Sequence, residues 1–174
     1  GWLVLFPHEF IELGKHVAGG VGFISNLVLY NEAGYFDTQS DLKPLLHLWS
    51  LGIEEQFYIF FPLLLLCLSK MGAKLLHVIV AFTLCSFALN ISAYYSLNIE
   101  QGFYLPQFRF WEIGIGSIIA YRPPSLQIAR IRQNVFSIVG LALIVIAVLF
   151  ISPSSRFPGF WALLPTAGTA LLLI

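Results

Sequence analysis

The apolar residues of the chain fall into long runs that are separated by short polar stretches. A run of about 20 predominantly apolar residues is long enough to cross a hydrocarbon core about 30 Å thick as a helix. Such runs cover residues 53–69, 75–97, 105–121 and 135–151. A further run begins near residue 160, and residues 1–6 have the pattern of the tail of an earlier span. The pattern predicts an all-α, polytopic transmembrane helix bundle with about four full spans and partial spans at each end.

The apolar stretch over residues 17–30 is short and contains glycine, which favours an interfacial or re-entrant helix over a crossing. Residues 31–50 are predicted to form an extracytoplasmic loop that leads into the first span. We expect residues 1–174 to form a single membrane domain. Because the chain opens within apolar sequence and without an initiator Met, it is expected to be an internal piece of a longer polytopic protein.

Basic residues distinguish the two faces of the membrane. If successive spans alternate in direction, the loops over residues 70–77 and 122–134 share one face and carry Lys and Arg but no acid. Cytoplasmic loops are enriched in Lys and Arg, so both loops are predicted to be cytoplasmic. All nine acids then lie toward the opposite face. The chain is expected to be a multi-pass protein of the inner (plasma) membrane.

The composition agrees with a membrane protein, since 58% of the residues are hydrophobic and only 10% are charged. The formal net charge is zero and no run of like charge occurs, so no nucleic-acid partner is predicted. Cys67 and Cys85 lie inside apolar stretches, without the spacing of a metal site or a disulfide framework. They are predicted to be buried small hydrophobes, and no metal site is predicted.

Polar residues precede the first span in the segment "HLWSLGIEEQFY" (47–58). If a helix begins near His47, a step of 100° per residue places several of them on one stripe. The stripe consists of His47, Ser50, Glu54 and Tyr58, with Glu55 at its edge. Glu54 lies roughly 22 Å of helix before Ser69, less than the hydrocarbon thickness, so both glutamates are predicted to lie below the membrane surface.

An immersed carboxylate costs about 2.5–3.5 kcal/mol, so it should face a polar cavity, pair with a base or be protonated. Pro62 removes a backbone donor just beyond the stripe and predicts a kink, which suits a cavity wall. The alternative is an ordinary interface. In that interpretation Trp49 and Tyr58 are belt aromatics, and Glu54 and Glu55 are solvated acids at a helix start.

A second polar group lies at the start of the third predicted span. Arg109 and Glu112 are three residues apart and share a helix face, and Gly114 and Gly116 allow close approach of another helix. The first and third spans would run in the same direction, so Arg109 is predicted to meet the glutamates of the first span. The alternative is a local pair at the interface, which contributes a few tenths of a kcal/mol.

Four segments carry a resemblance to the acyltransferase 3 family of polytopic membrane proteins. The stretch "LLHLWSLGIEEQFYIFFPLLL" resembles the signature of that family, and "NEAGYFDTQSDLKPLLH" resembles the approach to it. Downstream, "YLPQFRFWEIGIGSIIA" resembles its Arg-x-Trp-Glu span, and "FPGFWALLPTAGTALLL" resembles later Pro-Gly and Leu-Pro elements. The resemblance covers nearly the whole chain. The family's pairing of an Arg or Lys with a His about three helical turns later, in its first span, is missing from this sequence.

The resemblance implies an O-acyltransferase. Members move an acyl group, often acetyl, from a cytoplasmic acyl-CoA to a hydroxyl of an extracytoplasmic glycan such as lipopolysaccharide or peptidoglycan. Acyl-CoA (acetyl-CoA) is then a co-substrate rather than a bound cofactor, and the partners are the cell-envelope glycan and membrane lipid. Such a reaction needs a base for the hydroxyl proton and donors for the developing oxyanion.

Roles follow for the residues that match the family's segments. The expected catalytic residues are His47, Glu54 and Glu55. The expected substrate-binding residues are Trp49, Ser50, Tyr58, Arg109 and Glu112. Alternatively, Ser50 is a nucleophile that is itself acylated during the reaction. Other classes also stay open, namely a transporter or flippase in which the immersed charges line a path for a glycan, lipid or acyl donor, and a membrane scaffold or sensor without chemistry.

Overall fold

The computed structural model describes residues 6–32, 45–96, 99–121, 130–152, 155 and 157–174. Within these ranges all regular structure is helical, which confirms the all-α fold class. The α-helices are α1 (Pro7–Val21), α2 (Ser25–Glu32), α3 (Leu48–Lys70), α4 (Leu75–Tyr95), α5 (Ile99–Tyr104), α6 (Phe110–Ala120), α7 (Arg130–Phe150) and α8 (Leu163–Leu172). Short 3₁₀ turns at Pro106–Phe108 and Gly159–Ala162 precede α6 and α8.

Three of the described helices are long and apolar enough to cross a membrane. They are α3, α4 and residues 132–150 of α7. Helix α6 and the helical segment over residues 159–172 are apolar but shorter. The prediction of about four full spans is therefore not confirmed, because the helix within residues 105–121 is short, whereas a further apolar helical segment does begin near residue 160.

The backbone around Pro106 explains why the third predicted span is short. Leu105 is extended, with φ −87° and ψ 131°, and the 3₁₀ turn that follows ends at Arg109 with φ −119°. Helix α6 therefore begins only at Phe110 and has 11 residues. At 1.5 Å per residue this is roughly 16 Å, well short of a hydrocarbon core about 30 Å thick.

Several other boundaries differ from the sequence prediction. Helix α3 begins at Leu48, close to the start near His47 assumed from the sequence, so the polar segment before the apolar run is itself helical. Helix α5 lies between the second and third predicted spans, and α7 begins inside the loop predicted for residues 122–134. Most of the predicted tail of an earlier span at residues 1–6 and most of the loop at 31–50 lie outside the described residues.

Residues 17–30 are divided between the end of α1 and α2, with a turn in which Phe23 has a positive φ of 56°. Neither helix is long enough to cross the membrane, as expected. Two residues of α1 are buried, His16 and Gly19. Its apolar side chains face outward, for example Ile11 with 72% and Val21 with 77% of their surface exposed.

An aromatic and aliphatic cluster joins α3, α4 and α6. Its buried members are Ile53, Phe57, Phe61, Ile79 and Phe110. The rings of Phe57 and Phe61 stack with their centroids 4.6 Å apart. This cluster fixes the membrane-spanning part of α3 against the start of α6, because interlocking rings tolerate few alternative arrangements.

The two cysteines are exposed on the helix surface, so the prediction that they are buried is wrong. In a membrane protein the outward surface is apolar, and an apolar neighbourhood in sequence does not imply burial in the protein. Pro62 lies within α3, which continues past it to Lys70.

The two glycines of α6 differ in their surroundings. A Cβ atom on Gly114 would collide with the side chain of Thr83 in α4, so this glycine does permit close helix approach. A Cβ atom on Gly116 would meet nothing within 4 Å. The prediction of close packing is confirmed for Gly114 and is wrong for Gly116.

Candidate active site

The guanidinium of Arg109 lies among three aromatic rings. Its central carbon is 5.0 Å from the centroid of the Trp49 ring, 5.6 Å from that of Phe103 and 5.6 Å from that of Phe157. The rings belong to α3, to α5 and to the segment before the second 3₁₀ turn. Only 11% of the Arg109 side chain is exposed. A largely desolvated cation in such a cage gains about 2 kcal/mol from the ring faces.

Arg109 forms a two-pronged ion pair with Glu112. Its Nη2 donates to Oε2 of Glu112 at 2.7 Å, and its Nε donates to Oε1 at 3.1 Å. The local pair considered from the sequence is therefore present. The third group, Nη1, is buried and has no hydrogen-bond acceptor among the described residues. The pair is close to neutral overall and retains one unused donor.

A cavity of about 150 Å³ lies between α3 and α6 beside this pair. Its walls are Trp49, Ser50, Ile53, Glu54, Arg109, Glu112 and Ile113. The polar segment of α3 and the Arg109–Glu112 pair are thus brought together, as the sequence predicted. The carboxylate bonded to Arg109 is nevertheless that of Glu112, because Glu112 is one helical turn away on the same face.

A larger cavity of about 380 Å³ lies on the other side of the ion pair, between α6 and α8. Arg109, Glu112 and Ile113 line both cavities, so the ion pair stands between them. The remaining wall is mostly aliphatic and includes Gly116, Ile119, Pro165 and Ala170.

The other predicted site residues lie at the edge of this centre. His47 is exposed at the N-terminal end of α3, where its carbonyl accepts a hydrogen bond from Oγ of Ser50 at 3.3 Å. Tyr58 is 58% exposed and packs edge-on against Phe57. Glu55 is half-buried. These three residues do not line the cavities described here, and their expected roles stay predictions.

A buried amide network fixes the start of α3 against α2 and α5. Nε2 of Gln56 donates to the carbonyl of Phe23 at 2.7 Å and to Oδ1 of Asn26 at 2.9 Å. Nδ2 of the fully buried Asn26 donates to the carbonyl of Tyr104 at 3.0 Å. A Cβ atom on Gly52 would lie 3.0 Å from Oδ1 of Asn26, so glycine allows α2 to come this close.

Sequence inspection missed Phe103, Phe157 and the Gln56–Asn26 network. The only signal for Phe157 is its place before Pro158 and Gly159, in a segment noted for family resemblance alone. Gly159 has a positive φ of 39°, and a Cβ atom there would collide with the ring of Tyr94. Glycine at this position therefore lets the chain turn closely against α4, next to Phe157.

A separate polar cluster joins α1 and α2. Oε1 of Glu32 accepts from Nζ of Lys15 at 2.6 Å, and its Oε2 lies 3.0 Å from Nε2 of the buried His16. The cluster ties the two helices together. No group of three or more His, Cys, Asp or Glu side chains within the described ranges is arranged to hold a metal ion.

Comparison with known proteins shows the family. The model of a family described as an acyltransferase domain, acyltransferase 3, matches residues 2–174. The chain belongs to this family. Among acyltransferase 3 relatives, YrhL of Bacillus subtilis, provisionally named a peptidoglycan O-acetyltransferase, is 33% identical over 75% of this chain and 22% of its own length. BcsY of Komagataeibacter xylinus, provisionally named a membrane-bound transacylase, is 28% identical over 99% of this chain and 44% of its own.

An uncharacterised protein of Haemophilus influenzae is 29% identical over 98% of this chain and 74% of its own length. The chain spans less than half of the length of YrhL and less than half of the length of BcsY. No solved structure matches it significantly. Family membership and three apolar helices of spanning length indicate a membrane-embedded member of an acyltransferase family.

Proposed function

We propose that this chain provides the acyl-transfer centre of a membrane O-acyltransferase. The enzyme moves an acyl group, acetyl in the simplest case, from cytoplasmic acyl-CoA to a hydroxyl of an extracytoplasmic cell-envelope glycan. The observation that supports this most directly is the caged Arg109–Glu112 pair, which shares a cavity with Ser50 and Glu54 of the family signature. A polar cavity below an aromatic cage suits a reaction that must exclude water from a thioester.

The reaction joins the acceptor oxygen to the acyl carbon and breaks the carbon–sulfur bond of the donor. Charge develops on the carbonyl oxygen as the tetrahedral intermediate forms. In the proposal Nη1 of Arg109 donates a hydrogen bond to that oxygen, because this group has no other acceptor among the described residues. The charge of Arg109 is already balanced by Glu112, so the ligand need not be fully charged. Glu112 holds the guanidinium in its orientation.

Glu54 lines the same cavity as Arg109 and is proposed to accept the hydroxyl proton. The proton then passes to the departing thiolate, so that CoA leaves as a thiol. Ser50 orients the acceptor hydroxyl. His47, Glu55 and Tyr58 are proposed to contact the acceptor glycan, because they precede or belong to the N-terminal half of α3, where His47 and Tyr58 are exposed and Glu55 is half-buried.

The proposed orientation places the loop between α3 and α4, with Lys70 and Lys74, in the cytoplasm of a cell with the protein in its inner membrane. The start of α3 and Arg109 then lie toward the outer face. A flippase or transporter remains the second candidate. It is favoured by the cavities on both sides of the ion pair, which resemble a path past a polar constriction.

The experiment compares cell-envelope glycans from a deletion strain that carries the wild-type gene, a Glu54→Gln variant or a Glu100→Gln control. Glu100 is exposed on α5 and lies away from the cavities. Mass spectrometry should show acetyl-sized additions with wild type and control, and a loss of about 100-fold or more in initial acylation rate with Glu54→Gln. Glycans that are identical with and without the wild-type gene would contradict the enzyme and favour a transporter.

A further inference from the structure

We propose that the cavity between α6 and α8 is the donor groove, which holds the pantetheine arm of acyl-CoA with its thioester beside Arg109. The acceptor hydroxyl then enters the smaller cavity beside α3. This inference rests on the proposed O-acyltransferase function, which leaves open from which side of the ion pair each substrate approaches. The donor groove is lined by residues of α6, by residues of α8 and by Phe157.

The shape of the donor groove fits an extended chain. On α6 its wall runs from Glu112 to Ile119, seven helical rises or roughly 10 Å. On α8 it runs alongside from Pro165 to Leu173. The cavity of about 380 Å³ falls within the range of about 300–1,000 Å³ that is typical of small-molecule sites. A slender arm can lie along the two helices.

The chemistry of the donor groove favours a chain of low polarity. Its wall is mainly aliphatic, and its two hydroxyls are already engaged within α8. Oγ1 of Thr166 donates to the carbonyl of Ala162 at 2.7 Å, and Oγ1 of Thr169 donates to that of Pro165 at 2.9 Å. The groove therefore offers few free polar groups along its length, as suits an alkyl and amide arm rather than a polyhydroxylated acceptor.

The polar end of the donor groove favours a neutral carbonyl over an anionic head group. Arg109 has its charge balanced by the carboxylate of Glu112 at 2.7 Å, so the site carries little net positive charge for a phosphate. A thioester oxygen is a neutral acceptor that becomes negative only during the reaction. The polar end of the groove therefore suits a thioester carbonyl better than an anionic phosphate.

The direction of the donor groove agrees with a donor from the cytoplasm. It extends from Arg109 toward the C-terminal end of α6, which leads to the basic loop assigned to the cytoplasm in the proposed orientation. The polar cavity on the other side carries Ser50 and Glu54. The two substrates therefore meet at the ion pair from opposite sides, and neither has to pass the other.

The test uses variants that narrow the donor groove. Gly116→Leu projects into the groove, where a Cβ atom meets nothing within 4 Å, and Ala170→Leu does so from α8. The matched control is Ala167→Leu, since Ala167 is on the same helix but exposed and outside the lining. Each complete gene product is purified in nanodiscs. Kinetics are measured with acetyl-CoA and with chemically de-O-acetylated cell-envelope glycan from the producing cells.

We expect both groove variants to raise the KM for acetyl-CoA by about tenfold or more, with the KM for the glycan unchanged and with the Ala167→Leu control like wild type. Acetyl-pantetheine should compete with acetyl-CoA for wild type. An unchanged KM for acetyl-CoA in active groove variants, or a change confined to the KM for the glycan, would overturn the donor assignment. If wild type transfers no acetyl group from acetyl-CoA, the proposed function itself fails, and the inference with it.

A second measurement uses wild-type protein, so that it does not depend on whether the variants fold. Wild-type protein is irradiated with a pantetheine analogue that carries a diazirine, and labelled peptides are identified by mass spectrometry. Labelling of residues 110–120 and 163–172 that acetyl-CoA suppresses supports the inference. Labelling elsewhere, or labelling that phospholipid suppresses and acetyl-CoA does not, identifies the groove as a lipid site and overturns it.

Discussion

The ion pair inside the aromatic cage offers the sharpest test of the structure. Two carboxylates, Glu112 and Glu54, line the cavity beside Arg109, but only Glu112 is hydrogen-bonded to it. The two carboxylates should therefore couple to Arg109 to different extents. Replacing each of the three residues by Met, singly and in pairs with Arg109, separates the two interactions.

The expected coupling energy between Arg109 and Glu112 follows from the burial of the two side chains and from the number of hydrogen bonds between them. Arg109 is 11% exposed and Glu112 is 24% exposed, so each single replacement strands a partly buried charge. Breaking a buried pair costs about 3–5 kcal/mol, and the contact of Glu112 with solvent favours the lower end, near 3 kcal/mol. The double variant strands no charge, so its cost should lie well below the sum of about 6 kcal/mol for the two single variants, which gives a coupling of at least about 3 kcal/mol.

The corresponding coupling between Arg109 and Glu54 should be below about 0.5 kcal/mol, because the structure shows no bond between them. Reversible unfolding in detergent micelles or bicelles measures both cycles, with circular dichroism to check that every variant is helical. A coupling to Glu54 that equals or exceeds the coupling to Glu112 would refute the geometry described here. It would restore the pairing between helices that the sequence suggested.

Three further outcomes follow from the packing and the topology. Gly140→Ala should destabilise the protein by about 1–3 kcal/mol, since its Cβ would lie 2.6 Å from the carbonyl oxygen of Gly168 in the facing helix. Gly116→Ala is the control with open space, and equal unfolding free energies for the two would contradict the α7–α8 contact. Gln56→Leu removes the hydrogen-bond donor to the fully buried Asn26 of α2 and should lower the free energy of unfolding by about 1–3 kcal/mol. Wild-type stability of this variant in thermal unfolding would show that the network is dispensable. In a protein without Cys67 and Cys85, a Lys74→Cys variant should not react with an impermeant thiol reagent in intact cells, and it should react after lysis. Labelling in intact cells would contradict the proposed orientation.

Much of the helical architecture could be predicted from the sequence. Helices α3, α4 and α7 match apolar runs because a segment in lipid must satisfy its own backbone hydrogen bonds and present apolar side chains. The i,i+3 pair in α6 was also predictable, since it depends only on helix geometry. The shortness of the helix in the third predicted span was not predictable, because apolarity alone does not reveal that Leu105 is extended and that α6 starts only at Phe110.

The sequence by itself determined the membrane class, the helical fold and the segments that carry the candidate chemistry, because hydrophobic periodicity and motif spacing are properties of neighbouring residues. Only the tertiary structure decided what surrounds Arg109. Its cage takes one ring from α3, one from α5 and one from the segment before α8, and these are far apart in the chain. Their meeting depends on close contacts such as Gly114 against Thr83 and on the Gln56–Asn26 network. Such contacts between helices leave no periodic signal, since they depend on the shapes of two surfaces at once.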